Sequence, residues 1–244
     1  MKQSVEQPII FSGPMVRAYL EGRKSQTRRV IKGKWPWLTD PSAFYGLPWA
    51  TRDMFAHPAV HLLDNGNFAW YETEYPEEGC IEFKCPYRVG ASLWVRETWA
   101  ISSFSEKFPH RLQVAYRAGV SDIDHPEGMT HDLEWRTVDQ ETWGKYTQQK
   151  YYSWQSSRFM PHQFSRILTG PILSIRAERL QEISPEDAVA EGAEYMPAAN
   201  LREERLTVPQ IVFAGFWDSL HPKKDRWADS PWVWRIEFPK MILH

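Results

Sequence analysis

A basic stretch near the start of the chain, GRKSQTRRVI at residues 22–31, separates a helical pattern from an extended one. Before it, residues 8–11 are an apolar run of strand length, and Ser12-Gly-Pro14 is typical of a helix start with proline in the first turn. The helix that follows has one apolar face, made of Val16, Tyr19 and Leu20. Gly22 is expected to end this helix, because glycine is the usual residue where a helix stops.

The residues after Gly22 show no helical stripe, so we predict a turn followed by a strand that ends near Ile31. Successive side chains alternate across a strand. Thr27 and Arg29 are therefore expected on one face of it, together with Ile31.

The same region is strongly basic. Residues 17–34 contain seven Lys and Arg against a single acidic residue, Glu21, whereas the whole chain has a net charge of −2. Because this segment contributes +6, the rest of the chain carries −8. A one-signed cluster focuses positive potential on an anion such as a phosphate. The segment therefore predicts anion recognition, with an uncommitted surface as the alternative.

The composition is typical of a soluble globular protein, with 42% hydrophobic and 25% charged residues. The sequence begins with no secretion-signal pattern, and no apolar run reaches the roughly 18–20 residues that a membrane helix needs. Two cysteines, Cys80 and Cys85, cannot support a disulfide framework. We therefore expect a cytoplasmic protein with no membrane partner.

Aromatic residues are abundant, with 13 Trp, 10 Tyr and 12 Phe. Each of these side chains can bury on the order of 150–250 Å², so most are expected in the core. The alternative for some of them is a stacking platform for nucleic-acid bases, since every base has a π-face.

The rest of the chain predicts mainly strands. Residues 35–87 lack a sustained period, and we interpret them as an insertion with hairpin strands near residues 67–74 and 80–84. Residues 119–160 carry turn residues and predict no regular structure. Further strands are predicted at residues 93–99, 113–117, 172–180 and 232–238.

Two helices are predicted in the C-terminal part of the chain. Ser184 precedes Pro185 and Asp187 in a helix-capping pattern, and the helix they start is expected to end at Gly192. Residues 209–220 form a second amphipathic pattern. Strands interleaved with short helices indicate an α+β protein with a small mixed barrel.

The basic stretch also fits a known motif. It matches G-x-K-x-x-T-x-R at every fixed position, and with it the sequence resembles the ASCH family, whose fold belongs to the PUA-like superfamily of RNA-associated β-barrels. Three further blocks resemble that family in order along the chain: residues 90–95, 183–192 and 233–238. In the first of them Ala91 replaces the family's aspartate.

The resemblance implies one PUA-like (ASCH) domain over residues 1–244, a mixed β-barrel with a few short helices. Large insertions would then occupy about residues 32–87 and 101–164. The longer layout, with LWVRETW at residues 93–99, resembles bacteriophage and prophage ASCH proteins.

The resemblance also implies a chemistry. Some family members are amidohydrolases that deacetylate the exocyclic amine of N(4)-acetylcytidine with a Lys, a Thr and a Glu, which fall on Lys24, Thr27 and Glu191. Other members are ribonucleases or RNA-binding modules, so three functions remain open. The expected ligand is a nucleoside or RNA, with no cofactor and no metal.

The three residues are chemically sufficient for acyl transfer. A Thr27 nucleophile needs a base within hydrogen-bond reach. Lys24 could act as that base if burial or nearby cations lowered its pKa, whereas a touching Glu191 would favour its charged form. In that case Glu191 becomes the base and Lys24 stabilises the oxyanion.

Several other residues are candidates for binding. Arg29, on the face of Thr27, is the best placed to orient a substrate. We also expect substrate contacts from Arg23 and Arg28. Arg96 and Glu97 form either an internal ion pair or a contact in the cleft.

Other motifs are weak or absent. His57, His61, Cys80 and Cys85 have spacings seen in zinc sites, but a core or surface role is favoured for them. No P-loop, G-x-G-x-x-G, G-x-S-x-G or H-E-x-x-H motif occurs, which excludes the common nucleotide-dependent and metalloprotease functions.

Overall fold

The computed structural model describes residues 5–32, 60–62, 68–70, 81–119, 132–148, 150–151, 153–193 and 207–241. The chain divides into two compact units, each built from separate segments. The first unit contains Met1–Lys24, Ala91–Pro171 and Pro239–His244, and the second contains Ser25–Gly90 and Ile172–Phe238. One domain with two insertions stays a prediction.

The described residues form strands and a few helices. The strands are β1 (Glu6–Ile10), β2 (Gln26–Val30), β3 (Val60–Leu62), β4 (Phe68–Trp70), β5 (Ile81–Phe83), β6 (Ser92–Arg96), β7 (Trp99–Phe104), β8 (Arg111–Tyr116), β9 (Asp132–Thr137), β10 (Leu168–Pro171), β11 (Ser174–Arg179) and β12 (Trp232–Glu237). The α-helices are α1 (Gly13–Leu20), α2 (Gln140–Tyr146), α3 (Pro185–Ala190) and α4 (Val208–Leu220).

The first unit contains two three-stranded sheets and the helices α1 and α2. In one sheet β6 lies between β1, which is parallel to it, and β10, which is antiparallel. The other sheet is the antiparallel meander β7–β8–β9. Apolar side chains from one face of the meander pack with α2 into a core that includes Trp99, Leu112, Val114, Tyr116, Tyr146 and Phe164.

The second unit contains two antiparallel sheets and the helices α3 and α4. The order β11–β12–β2 places β12 in the middle of one sheet and β2 at its edge. The other sheet is β3–β4–β5. A core cluster joins the helices to β12, and it includes Leu180, Ile183, Phe213, Trp217, Trp227 and Val233.

The elements around the basic stretch form as predicted. Val16 and Tyr19 of α1 are buried, whereas Leu20 is half-buried. Gly22 ends the turn after the helix with φ +69°, a left-handed value that glycine adopts without strain. Ser184 caps α3 by accepting a hydrogen bond from the Asp187 backbone N–H at 3.1 Å, and Gly192 follows with φ +90°.

Two predictions of secondary structure are wrong in detail. The strand predicted at residues 93–99 is divided into β6 and β7, because Glu97 and Thr98 between them are not part of a strand. Residues 119–160, where no regular structure was predicted, contain β9 and α2. Asp139 caps α2 by accepting a hydrogen bond from the Thr142 backbone N–H at 2.7 Å.

The fold class α+β is confirmed. Each sheet in the described ranges is open and has three strands, and none of them closes on itself. The finer assignment to a PUA-like barrel remains a proposal.

Candidate functional site

The motif strand β2 presents different residues on its two faces. Gln26 and Arg28 share one face, and Thr27 and Arg29 share the other, because side chains alternate along a strand. The register with β12 pairs Thr27 with Ile236 and Arg28 with Arg235. Thr27 and Arg29 are thus on one face, as the sequence predicts.

Arg28 is buried among carboxylates. Its side chain is 2% exposed. Its Nη2 lies 2.6 Å from Glu178 Oε1 and 2.9 Å from Asp187 Oδ2, and its Nη1 lies 3.2 Å from Glu191 Oε1. Burial alone would lower the pKa of Arg28, but the three carboxylates raise it above its ordinary value. Arg28 is therefore a fixed cation at the centre of an acidic group.

A second arginine completes this charged group. Arg235 contacts Asp187 Oδ1 at 3.1 Å, and its Nε donates to the Gln26 side-chain oxygen at 3.2 Å. Gln26 in turn donates to Asp187 at 2.9 Å. Arg235 also pairs with Glu237 on its own strand. Two arginines thus contact four carboxylates, those of Glu178, Asp187, Glu191 and Glu237. Burial raises the pKa of Glu178 although Glu178 contacts Arg28.

The end of α3 lies beside the start of β2. The Ser25 backbone N–H donates to the Ala190 carbonyl oxygen at 2.8 Å. Glu191, the next residue, is 4% exposed and binds Arg28. Burial lowers the pKa of Arg29, and the charge of Glu191 partly opposes this lowering. Because Arg28 and Arg29 face opposite sides of the strand, the Glu191 carboxylate acts on both sides of β2.

The Thr27 side chain is fully buried, and its hydroxyl has no hydrogen-bond partner within the described residues. A buried polar group left unpaired costs about 1–3 kcal/mol. Such groups are rare in folded proteins and call for a structural or functional reason. Thr27 is also the nucleophile that the family resemblance implies. The hydroxyl without a partner among the described residues therefore belongs to a residue that the sequence had already identified as a candidate.

Arg29 has an aromatic partner that the sequence did not reveal. It forms a hydrogen bond with the side chain of Tyr87, and the guanidinium and phenol influence each other's pKa. Burial lowers the pKa of Arg29, and burial raises the pKa of Tyr87. The backbone N–H of Tyr87 donates to the buried Cys85 sulfur at 3.4 Å. Nothing in the sequence around Tyr87 distinguishes it as a partner of the motif.

Lys24 and Arg23 belong to the first unit. Lys24 is fully buried, and its Nζ lies 5.3 Å from the centroid of the Phe11 ring. Arg23 is exposed and pairs with Glu21 at 2.6 Å. Inside the second unit, Glu191 acts on both Arg28 and Arg29. The shared site of Lys24, Thr27 and Glu191 that the family resemblance implies stays a prediction.

The charge of the basic stretch is only partly available to solvent. Lys24 and Arg28 are buried, Arg28 is matched by carboxylates, and Arg23 is paired. Lys32 is exposed. The surface is therefore less basic than the count of residues in the sequence suggests.

Arg96 and Glu97 have separate partners in the first unit. Glu97 is 1% exposed and accepts two hydrogen bonds from Arg166, at 2.8 and 3.1 Å. Arg96 lies over the Trp94 ring at 4.6 Å and donates to the Arg158 carbonyl oxygen at 3.4 Å. The internal ion pair of Glu97 is with Arg166 rather than with Arg96, and this buried pair favours a structural role for the Glu97 carboxylate.

The remaining features concern metals and membranes. His57 and Cys80 lie outside the described residues, and within those residues no group of three His, Cys, Asp or Glu side chains is arranged to hold a metal ion. None of the helices in the described ranges has the length and apolar character to cross a membrane.

Comparisons with protein-family models, with curated proteins and with solved structures find no match to this chain.

Proposed function

We propose that this chain is a nucleoside- or RNA-directed hydrolase with an ASCH-type, PUA-like fold. Its reaction would be removal of an acyl group from the exocyclic amine of a cytosine, as in N(4)-acetylcytidine, with Thr27 as the nucleophile. The single observation that carries the proposal is the Thr27 hydroxyl, which is buried and has no hydrogen-bond partner within the described residues, in a strand whose next residue, Arg28, holds Glu191.

The proposed reaction has two balanced steps. The Thr27 oxygen attacks the acyl carbon and loses its proton to a base, and the cytosine amine leaves with a proton, so that an ester forms on Thr27. Water then attacks the ester, which releases the carboxylic acid and restores the hydroxyl. Splitting a difficult hydrolysis in this way is the usual advantage of covalent catalysis.

Glu191 is proposed as the base, and it has to approach Thr27 for proton transfer, because no described residue forms a hydrogen bond with the Thr27 hydroxyl. Its carboxylate is held by Arg28, the residue that follows Thr27, and α3 ends where β2 starts. The role of Lys24 in this proposal is based on the motif alone. Lys24 would be either the cation that stabilises the oxyanion or the base in place of Glu191.

Arg29 is proposed to orient the substrate, because it shares a face of β2 with Thr27 and is held by Tyr87. A guanidinium can form two parallel hydrogen bonds to a planar acceptor, which gives it geometric selectivity. Arg28, in contrast, is saturated by carboxylates, and we now assign it the role of holding Glu191.

A second function is favoured by one observation. The Thr27 side chain is fully enclosed, so a substrate can reach its hydroxyl only if neighbouring groups move. This enclosure favours a non-catalytic RNA-binding module, in which Thr27 is a packing residue. A ribonuclease of ASCH type has no separate support from the contacts.

The test is deacetylation by the purified chain, measured as cytidine released from N(4)-acetylcytidine. Thr27→Val, which keeps the shape of the side chain, is expected to reduce the rate by at least about a thousandfold, since the nucleophile is lost. Thr27→Ser retains a hydroxyl and should retain measurable activity. An inactive wild-type chain that still binds RNA, or a Thr27→Val variant as active as the wild type, would exclude the hydrolase.

A further inference from the structure

The meander β7–β8–β9 in the first unit has an outer face with exposed aromatic and apolar side chains. Its inner face packs into the core with Trp99 and Tyr116. On the outer face of β9, Leu133 is 45% exposed and Trp135 is 43% exposed. Phe108, in the hairpin between β7 and β8, is 47% exposed. Exposed apolar side chains that lie together mark a candidate interaction site.

Cations lie over these aromatic rings. The Arg111 guanidinium carbon is 5.5 Å from the centroid of the Phe108 ring and 5.5 Å from that of Trp135. The two rings are therefore within about 11 Å of each other, with the arginine next to both. Lys107 places its Nζ 5.4 Å from the same Phe108 ring. We name Lys107, Phe108, Arg111 and Trp135 the aromatic platform.

Within the described strands β7, β8 and β9, no acidic side chain lies on the outer face, which carries the cation Arg111. The β9 carboxylates Asp132 and Glu134 project to the opposite face, where they pair with Arg166 and Arg136. Other outer-face positions, such as Ser103, Gln113 and Thr137, are uncharged. The carboxylate nearest in sequence is Glu106, in the hairpin beside Lys107. The platform therefore offers positive charge and flat rings together.

We propose that the aromatic platform binds single-stranded nucleic acid. Bases would stack on Trp135 and Phe108, and Arg111 and Lys107 would neutralise phosphates. Stacking on aromatic side chains beside a positively charged track is how proteins bind single strands without sequence preference. A protein partner fits less well, because the cores of protein–protein interfaces are depleted of lysine and the rings here are separated by cations.

This site is distinct from the hydrolase proposal. None of its residues belongs to the motif at residues 22–29, and it needs no catalytic chemistry. Binding to the platform can therefore be tested on a chain whose Thr27 has been replaced.

The test is fluorescence anisotropy with a labelled oligouridine of about 12 nucleotides, a length within the range that one single-strand-binding fold covers. Trp135→Ala and Phe108→Ala should each weaken binding at least fivefold, whereas Trp135→Phe, which keeps an aromatic ring, should weaken it much less. Phe159→Ala is the matched control, because Phe159 is the most exposed large apolar residue described in the same unit and lies outside the platform. It should bind like the wild type.

The salt dependence tests the cations separately. Arg111→Gln should reduce the slope of log Kd against log salt by about 0.7, the value for one phosphate contact on a single strand. The Trp135→Ala variant should hydrolyse free N(4)-acetylcytidine at the wild-type rate. This measurement distinguishes a failure of the platform proposal from a failure of the hydrolase proposal.

Several outcomes would overturn the proposal. One is an oligouridine affinity that neither Trp135→Ala nor Phe108→Ala changes, and another is a wild-type chain that does not bind the oligonucleotide. A third is self-association, measured by sedimentation, that Trp135→Ala abolishes while RNA affinity is unaltered. That result would make the platform an interface between copies of the chain.

Discussion

Arg28 of β2 contacts Glu191 at the end of α3 at 3.2 Å, although 163 residues separate them in sequence. Both side chains are buried, so the ion pair is shielded from salt. The contact joins the basic motif to the Glu-Gly end of the capped helix, two of the blocks from which the family resemblance was inferred. Any function that uses Glu191 therefore depends on Arg28.

Replacing Arg28 by Met should destabilise the protein strongly. The change leaves three buried carboxylates without their central cation, and breaking a buried ion pair in this way costs about 3–5 kcal/mol of unfolding free energy. Urea unfolding measures the loss. It should be smaller at pH 5 than at pH 8, because burial already raises the pKa of Glu178, and without its cation this carboxyl is protonated more readily.

The control for this change is Arg226→Met. Arg226 pairs with Asp218 at 3.2 Å, but its side chain is more than half exposed. An exposed pair contributes about 0–1 kcal/mol, so the loss should be small and nearly independent of pH. Equal losses in the two variants would contradict the central role of Arg28.

Replacing Tyr87 by Phe should affect catalysis more than stability. The change removes the hydroxyl that binds Arg29 and keeps the aromatic ring of residue 87. Without this hydrogen bond Arg29 would be positioned less firmly, so kcat/KM for N(4)-acetylcytidine should fall about tenfold, mostly through KM, as expected for one lost hydrogen bond to a charged group. Tyr151→Phe, at an exposed tyrosine of the first unit, should have no effect. Unchanged kinetics in Tyr87→Phe would remove Arg29 from the substrate site.

Gly170 of β10 has no room for a side chain. A Cβ at this position would lie 2.7 Å from Cγ of Pro239, and a proline ring cannot rotate away. Gly170→Ala should therefore lower the free energy of unfolding by about 1–3 kcal/mol, the usual cost of overpacking.

Gly144 of α2 provides the opposite case. Among the residues that the structure describes, nothing lies within 4 Å of the point that an alanine methyl would occupy there, and the position is helical. Gly144→Ala should raise the unfolding free energy by about 0.5–1 kcal/mol, because alanine has the higher helix propensity. Thermal unfolding of the two variants should show shifts in opposite directions. A Gly170→Ala variant as stable as the wild type would refute the packing at Pro239, and a destabilised Gly144→Ala variant would refute the open space at Gly144.

Cys85 should react slowly until the chain unfolds. Its thiol is buried, and burial raises the pKa to about 11. In a Cys80→Ser background Cys85 is the only cysteine, and its alkylation at pH 8 should be at least about a hundredfold slower than in urea, where the thiol returns to its ordinary pKa. Rapid alkylation of the native chain would show that Cys85 is accessible.

The same thiol makes a pH-dependent contribution to stability. Its folded-state pKa is higher than its unfolded value, so the contribution is fully present below the unfolded pKa and is lost as pH rises toward 11. The difference in unfolding free energy between Cys80→Ser and the Cys80→Ser/Cys85→Ala variant should therefore shrink between pH 8 and pH 11. A constant difference over this range would contradict the raised pKa.

Local signals in the sequence predicted the elements that carry the motif. Gly22, Ser184 and Gly192 mark helix boundaries because their backbone and capping preferences act over a few residues. The alternation that places Thr27 and Arg29 on one face is local in the same sense. These signals place the candidate residues on their elements, and the structure agrees.

The partners of those residues could not be predicted in the same way. Glu178 and Asp187 reach Arg28 from elements about 150 residues away, and no spacing in the sequence connects them. Tyr87 follows an aperiodic segment and binds Arg29 only after folding. Helix α2, with seven residues, is too short for a clear helical period, although Asp139 caps it.

The position of β12 determines when this site can form. Strand β12 lies between β11 and β2, and among the described strands it is the partner of the motif strand β2. The two strands are far apart in sequence: Arg235 of β12 is 209 positions after Gln26 of β2, which it contacts. Closing a loop of that length costs entropy before any contact compensates for it, and such non-local pairings slow folding. During synthesis, therefore, β2 lacks its partner among the described strands until β12 has left the ribosome, and a nascent chain stalled before Trp232 would lack the Arg235 part of the charged group.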